Sequence, residues 1–298
     1  MIARPFFSVP LPRREPLLLG ARTLVMGILN ITPDSFADGG THFNPTIAVE
    51  SGVRMVADGA DILDVGGEST RPGAEPLDER EELRRVVPVI EELAARVTVP
   101  ISIDTYKASV ARAAVRAGAT IVNDISGLQY DAELGRAIAQ TGAAAILMHT
   151  RGRSAGMYEL AVYDDVITEV SAELRTVLAR AAAAGIAAES VILDPGFGFA
   201  KKAEHSTALL AQFDALAKLE HPLLSGPSRK SFLKTAIGER IPAERDWATA
   251  AAVTASVLYG AHIVRVHAVR AMADVVRVAD LILDSRMKTW QSRCSVQQ

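Results

Sequence analysis

The strongest constraint on this chain is an alternation. Eight times along 298 residues, a short apolar run rich in β-branched residues is followed by a longer amphipathic stretch. The runs begin at Thr23 (TLVMGILN), Asp61 (DILDVGG), Pro100 (PISIDT), Thr120 (TIVNDIS), Ala144 (AAILMHT), Val191 (VILDPG), Pro222 (PLLSGPS) and His262 (HIVRVHA). Runs this short, with no polar alternation, read as strands buried on both faces, as in a parallel sheet covered by helices. The intervening stretches carry helical spacing. In DEREELRRVVPVIEELAARV the residues Leu83, Val86, Val87, Ile90 and Leu93 recur on one face. DDVITEVSAELRTVLARAAAAG ends on Gly185, a natural stop one residue past a helix. Three helix-to-strand joints, ADGADILDV, RAGATIVND and QTGAAAILM, place a Gly just before the strand, where a helix end calls for left-handed backbone. Eight such units predict an α/β fold, a (β/α)8 TIM barrel; an open eight-stranded sheet is the alternative that pattern alone leaves standing.

No linker or low-complexity block divides the chain, so one domain is expected: a barrel over residues 23–288, a short N-terminal extension (1–22) packed on its floor, and a C-terminal tail (289–298). A net charge of −3 supplies no basic field, which argues against a nucleic-acid partner. Any phosphate site must therefore be local. The single cysteine, Cys294, excludes an internal disulfide and a cysteine metal centre. No apolar run reaches export-signal or membrane-span length, so a soluble cytoplasmic protein with no membrane partner is expected.

Each run finishes on a polar residue: Asn30, Asp64, Asp104, Asn123, His149, Asp194, Ser228 and His267. Any one of them alone could be a helix cap or turn former. At the C-terminal ends of barrel strands, eight together describe a catalytic mouth. Asp64, Asp104, Asp194 and Asn123 can grip the N–H edge of an aminopyrimidinone, because carboxylates accept paired donors and Asn both donates and accepts. The loops after the first two runs, NITPDSFADGGTHFN and GGESTRPGAEP, are long for strand-to-helix connections, as binding loops often are. SGPSRKSF and RVH put Arg229, Lys230 and Arg265 at two adjacent strand ends, where barrels commonly bind phosphate.

The segments ILNITPDSF, DVGGESTRPGAEP, SIDT, VNDISG, LDPGFGF, GPSRKSF and RVH, in this order from Asn30 to His267, resemble the signature segments of the dihydropteroate synthases. The resemblance implies a barrel enzyme that joins 6-hydroxymethyl-7,8-dihydropterin pyrophosphate to p-aminobenzoate, releasing pyrophosphate with Mg2+ present. It implies a pterin site of Asp64, Asp104, Asn123, Met148, Asp194 and Lys230. Asn30, Arg71, Arg265 and His267 match the pyrophosphate site, with Asn30 at the metal position. Thr70, Pro72, Phe199, Lys230 and Ser231 match the p-aminobenzoate pocket, which also takes sulfonamides in the family. Asp104, Asp194, Lys230 and Arg71 are the expected catalytic residues, and a homodimer is the expected assembly. A non-catalytic pterin-binding paralogue and a methyltetrahydrofolate-dependent methyltransferase module are the alternatives. Four positions depart from the family pattern: Ala268 where Asp is common, Ala200 where Gly is common, Ser206 where Asn is common, and Thr150 after His149.

Three further features read as structural. His149, His205 and His262 lack zinc-ligand spacing with His267. DEREELRR reads as a solvated helix face. ATAAAVTASVLYG is too apolar for a helix facing water and reads as either a dimer face or core.

Overall fold

In the computed structural model, described for residues 4–31, 45–69, 76–153 and 156–295, the eight expected runs are the eight strands of one parallel sheet. An antiparallel hairpin, β1 (Phe7–Val9) and β2 (Leu17–Leu19), precedes them. The sheet comprises β3 (Leu24–Asn30), β4 (Ile62–Gly66), β5 (Ile101–Asp104), β6 (Ile121–Asp124), β7 (Ala144–Met148), β8 (Val191–Asp194), β9 (Leu224–Ser225) and β10 (Ile263–Val266). Their order is β8-β7-β6-β5-β4-β3-β10-β9, and a parallel bridge from Leu193 to Leu223 joins the two ends. The sheet therefore closes into a barrel. Among the described residues the α-helices are α1 (Pro45–Ala57), α2 (Glu79–Arg96), α3 (Ala108–Ala117), α4 (Leu134–Thr141), α5 (Val166–Ala183), α6 (Ala203–Ala211), the short α7 (Lys234–Ile237), α8 (Asp246–Leu258) and α9 (Val269–Ser295). The last helix runs through most of the segment read from sequence as a tail. None of the described helices is long and apolar enough to cross a membrane.

Strand parity sorts the side chains. Val25, Leu29, Leu63, Val65, Ile103, Val122, Leu147, Leu193 and Val264 face outward into the sheet–helix core with Val86, Ile90, Leu93, Val170 and Leu174. Met26, Ile62, Ile121, Ile146, Ile192 and Ile263 face inward and form a closed apolar layer. Val9, Leu11, Leu17 and Leu19 of the N-terminal segment join that layer from below, so the hairpin plugs the floor. Residues two positions further along a strand face the same way. The inward position after each of these residues is accordingly Ile28, Asp64, Asn123, Met148, Asp194 or Arg265. An aliphatic layer thus carries a layer of polar groups at the mouth.

The helix ends follow their local chemistry. Asp78 caps α2 by accepting from the Arg80 amide, and Asp165 caps α5 by accepting from the Ile167 and Thr168 amides. The joint glycines Gly59, Gly118 and Gly142 have φ of +104°, +126° and +69°, as the repeated joints required. One expectation fails: the DEREELRR segment is only partly solvated. Glu81 pairs with Arg84 and Arg85 on the surface, whereas Glu82 is buried and pairs with Lys107. Its place on the inner face of α2 follows from the helical period, which sets it four residues before Val86.

Candidate active site

A single guanidinium organises the mouth of the barrel. Arg265, from β10, donates through Nε to Asp64 Oδ2 and through Nη2 to Asp104 Oδ2, both at 2.6 Å. Asn123 donates from Nδ2 to the same Asp64 oxygen at 3.0 Å. Register makes this possible: Asp64 stands beside Ser102 on β5, and Asp104 beside Asn123 on β6. Asp64 Oδ1 is buried and has no hydrogen-bond partner among the described residues, which leaves one carboxylate oxygen to accept from a ligand.

The electrostatics follow from one cation facing two carboxylates. Burial pushes the Asp104 carboxyl up to about 7; Arg265 opposes this and the neighbouring Asp64 adds to it. Burial works against the Arg265 cation too, but Asp64 and Asp104 more than reverse it and hold the group above the ordinary arginine range. The two directions are compatible. One guanidinium neutralises one carboxylate, and the excess negative charge resists ionisation.

Across the mouth, Asp194 accepts from the Gly196 amide through Oδ1 at 2.7 Å. Burial raises its carboxyl, against the Gly196 hydrogen bond and the Lys230 charge. Lys230 follows β9 and places its Nζ 4.0 Å from the centre of the Phe199 ring. Burial and the Arg265 charge lower its ammonium to about 8. Met148, in register with Asp194, packs with Phe199, Ile125, Met157 and Ala200 into a small apolar wall. A carboxylate, an ammonium, an aromatic face and a thioether wall thus adjoin the Asp64–Asp104–Asn123 cluster.

Three further sequence-predicted residues, Asn30, His267 and Ser231, fall at the rim. Asn30 ends β3 beside Gly66, itself in register with Asp104. His267 Nδ1 and the Ser228 hydroxyl share a 2.9 Å hydrogen bond, and burial with the Arg229 charge lowers its imidazole to about 3, so it is neutral. Ser231 is exposed and opens the turn after Lys230. Thr70, Arg71 and Pro72 lie outside the described residues.

Arg229, read from sequence with the anion-binding residues, serves a structural role, and two further supporting groups, Lys107 and Lys201, were missed. Arg229, left-handed at φ +59°, forks onto Asp246 with two 2.8 Å bonds, and its carbonyl accepts from Arg245, fixing the turn that presents Lys230. Lys107 bonds Glu68, Glu82 and the Leu77 carbonyl, tying together the two stems of the second loop. Lys201 is fully buried inside the loop after β8. Neither Lys107 nor Lys201 had a sequence signal beyond a basic residue next to a motif. The family departures sit quietly. Ala200 adopts φ +47°, the backbone a Gly would favour, and Ser206 Oγ accepts from the Gly198 amide at 3.1 Å, bracing the same loop. The other histidines make structural bonds: His262 Nδ1 accepts from the Leu223 amide, and Nε2 donates to the Pro5 carbonyl.

For a divalent cation the fit is limited but adequate. No cluster of three or more His, Cys, Asp or Glu side chains is present among the described residues. Mg2+ commonly keeps its waters and takes one or two protein oxygens together with substrate phosphates. The Asn30 side-chain oxygen meets that requirement if the phosphates come with the substrate.

The comparisons agree with this geometry. The family model for pterin binding enzymes matches residues 26–267. A dihydropteroate synthase from Synechocystis sp. is 47% identical over 278 residues, 93% of this chain and 96% of the relative. The Escherichia coli K12 dihydropteroate synthase is 45% identical over 262 residues, 88% and 92% of the two chains. Among solved structures, Xanthomonas albilineans dihydropteroate synthase with 4-aminobenzoic acid superposes with a TM-score of 0.83 at 42% identity, covering 89% of this chain and 95% of that one. Yersinia pestis dihydropteroate synthase in a sulfonamide complex gives 0.85 at 42% identity, covering 91% and 98%. Eight parallel strands, a polar layer at their C-terminal ends and this degree of identity over nearly the whole length converge: the chain belongs to the pterin binding enzyme family and, within it, to the dihydropteroate synthases.

Proposed function

We propose that this chain condenses 6-hydroxymethyl-7,8-dihydropterin pyrophosphate with p-aminobenzoate, giving 7,8-dihydropteroate and pyrophosphate in folate biosynthesis. The observation that carries the reading is the pairing of a buried donor-accepting cluster, Asp64–Arg265–Asp104–Asn123, with an adjoining aromatic–ammonium wall, Phe199–Lys230. The first suits the N–H edge of a pterin and the second suits a flat, anionic benzoate. The relatives are dihydropteroate synthases, and a solved neighbour from Xanthomonas albilineans is in complex with 7,8-dihydropteroate.

In this reading Asp104, Asn123, Asp194 and Lys230 hold the pterin, with Asp64 and Met148 beneath it. Arg265 fixes the two carboxylates first and offers its remaining nitrogen towards the pyrophosphate, together with Asn30, Arg71 and neutral His267. The bond from the pterin methylene to the pyrophosphate oxygen breaks, and its electron pair leaves with the phosphate. The carboxylates of Asp104 and Asp194 favour the positive charge left on the methylene and ring. The amine of p-aminobenzoate, held by Thr70, Pro72, Phe199, Lys230 and Ser231, attacks the methylene, and its surplus proton goes to solvent or the departing pyrophosphate. Among these side chains no Ser–His or Cys–His nucleophile is required, which fits a dissociative path. Mg2+ bound with Asn30 and the pyrophosphate would offset charge on the leaving group. Sulfonamides, which resemble p-aminobenzoate, are the expected inhibitors.

A homodimer through α8 and α9 is supported by exposed apolar side chains on adjacent helices: Trp247 (88% exposed), Val278, Leu281 and Ile282. A cytoplasmic setting is supported by the single cysteine. The test of the central reading is product identity. Purified protein with both substrates and Mg2+ yields a species of dihydropteroate mass, and omission of either substrate abolishes it; a complete mixture that gives no such species refutes the reading.

A further inference from the structure

The loop between β8 and α6 carries Phe199, and its backbone is unusual. Gly196, Gly198 and Ala200 take φ of +71°, +75° and +47°, alternating left-handed residues through five positions. Within it the Phe199 amide donates to the Gly196 carbonyl at 3.1 Å, and the Tyr158 hydroxyl donates to the Gly198 carbonyl at 3.3 Å; left-handed residues of this kind persist where their surroundings over-determine them. The loop is also pressed hard onto the end of β7: a Cβ on Gly196 would stand 2.2 Å from the His149 carbonyl oxygen.

Lys201 holds it from within. Its ammonium, 1% exposed, donates to the Gly196 carbonyl at 3.1 Å, to the Phe199 carbonyl at 3.1 Å and to His149 Nδ1 at 2.7 Å. Burial lowers this group to about 7, and four acceptors surround its nitrogen, these three and the His149 carbonyl at 3.5 Å. His149 is fixed in turn. Its Nε2–H donates to Glu173 Oε2 at 2.9 Å, and Glu173 is locked by Arg151, which also reaches Glu169 and lies 3.9 Å over the Tyr163 ring. Burial and the Lys201 charge lower His149 to about 4, so at neutral pH the ring keeps the Nδ1 lone pair that Lys201 needs. The Tyr163 hydroxyl then donates to the Ala200 carbonyl at 3.0 Å, returning the chain of contacts to the loop. None of these groups touches the expected substrates in the reading above.

We infer that Lys201 is a positioning residue for the second substrate: its ammonium ties the Gly196 and Phe199 carbonyls to His149 and so sets the Phe199 ring against Lys230, shaping the face that p-aminobenzoate stacks on. This rests on the functional reading of the preceding subsection. Of the groups expected to hold the pterin, Asp64, Asp104 and Asn123 come from other strands, and Asp194 stands at the end of β8 and meets the loop through the Gly196 amide.

The test is a kinetic split with a double-mutant cycle. Lys201→Met keeps the stem and removes the three donors. It is expected to raise KM for p-aminobenzoate at least tenfold while KM for the pterin pyrophosphate stays within threefold. In a Phe199→Ala background the same substitution is expected to add less than threefold, because the group through which it acts is gone. His149→Gln, which can still accept from Lys201 and donate to Glu173, is expected to recover KM to within threefold of wild type, and His149→Leu is not. If Lys201→Met does not fold, the two His149 variants carry the comparison. Equal rises in both KM values, an unchanged KM for p-aminobenzoate, or full additivity with Phe199→Ala overturns the positioning role. A wild-type protein that forms no dihydropteroate overturns the functional reading itself, an outcome distinct from any of these.

Discussion

Replacing Arg265 by Met removes the cation hydrogen-bonded to two carboxylates at the barrel mouth. Asp64 is wholly buried, Asp104 nearly so, and the two 2.6 Å hydrogen bonds from the guanidinium both disappear. Breaking a buried ion pair by removing one partner typically costs ~3–5 kcal/mol. Proton uptake limits the loss. Asp104 already stands near 7 with Arg265 in place and rises further without it. Between pH 8 and pH 7 the variant therefore holds about one proton more than wild type, worth about 1.4 kcal/mol per pH unit. Below pH 7 wild type holds that proton too, and the difference levels off. The expected destabilisation is about 4 kcal/mol at pH 8 and about 3 kcal/mol at pH 6. At about 2 °C per kcal/mol for a chain of this size, the thermal midpoint falls by ~8 °C and ~6 °C respectively. Thermal unfolding of both proteins at the two pH values, at one scan rate, measures this. A loss below 1 kcal/mol at both, or one that grows as the pH falls, would refute the claim that Arg265 compensates the carboxylates.

Other expectations follow from the same physics. The Asp104 carboxyl, raised from 3.8 to about 7, should give kcat/KM for the pterin pyrophosphate an acid limb near pH 7, because the protonated form loses an acceptor; Asp104→Asn should lower activity and flatten that limb. The stability consequence has a definite sign: the folded state holds an extra proton between about pH 4 and pH 7, so this group subtracts stability as pH rises through that window. Ala200→Gly should be nearly neutral, since relief of about 1 kcal/mol of left-handed strain offsets a buried methyl of about 0.8 kcal/mol, and a midpoint shift beyond ~3 °C would contradict that balance. Met26→Ala, in the inward aliphatic layer over the hairpin, should cost about 2–5 kcal/mol by denaturant titration while leaving KM for both substrates within twofold. Trp247→Glu with Leu281→Glu should convert a sedimenting dimer to monomer without abolishing pterin binding.

Much of the fold was readable because its cause is repetitive. Each buried parallel strand is a short aliphatic run, each joint needs a left-handed residue before the strand, and the two periods differ. The site followed from where the polar residues fell: each buried run ended on one, and the C-terminal strand ends of a barrel share one mouth. What the residues alone did not reveal lies in long-range partnerships. Arg265 read as a free anion binder, but its nearest charges are Asp64 and Asp104, 201 and 161 residues away in sequence. Glu82 read as a surface charge because its partner, Lys107, belongs to another βα unit. Lys201 carried no signal, since a buried lysine and a surface lysine look alike until acceptors close around one. The three-residue strands of the floor hairpin are too short for any periodicity to mark.

The most direct test of the central claim is pyrophosphate release by the purified protein, measured with the dihydropterin pyrophosphate and Mg2+, with and without p-aminobenzoate, beside Lys230→Ala. Release that depends on p-aminobenzoate, matches dihydropteroate one for one and falls at least a hundredfold in Lys230→Ala is the predicted result. That loss corresponds to about 2.7 kcal/mol of transition-state stabilisation. Pterin binding without p-aminobenzoate-dependent release, or a Lys230→Ala variant as fast as wild type, would contradict the account.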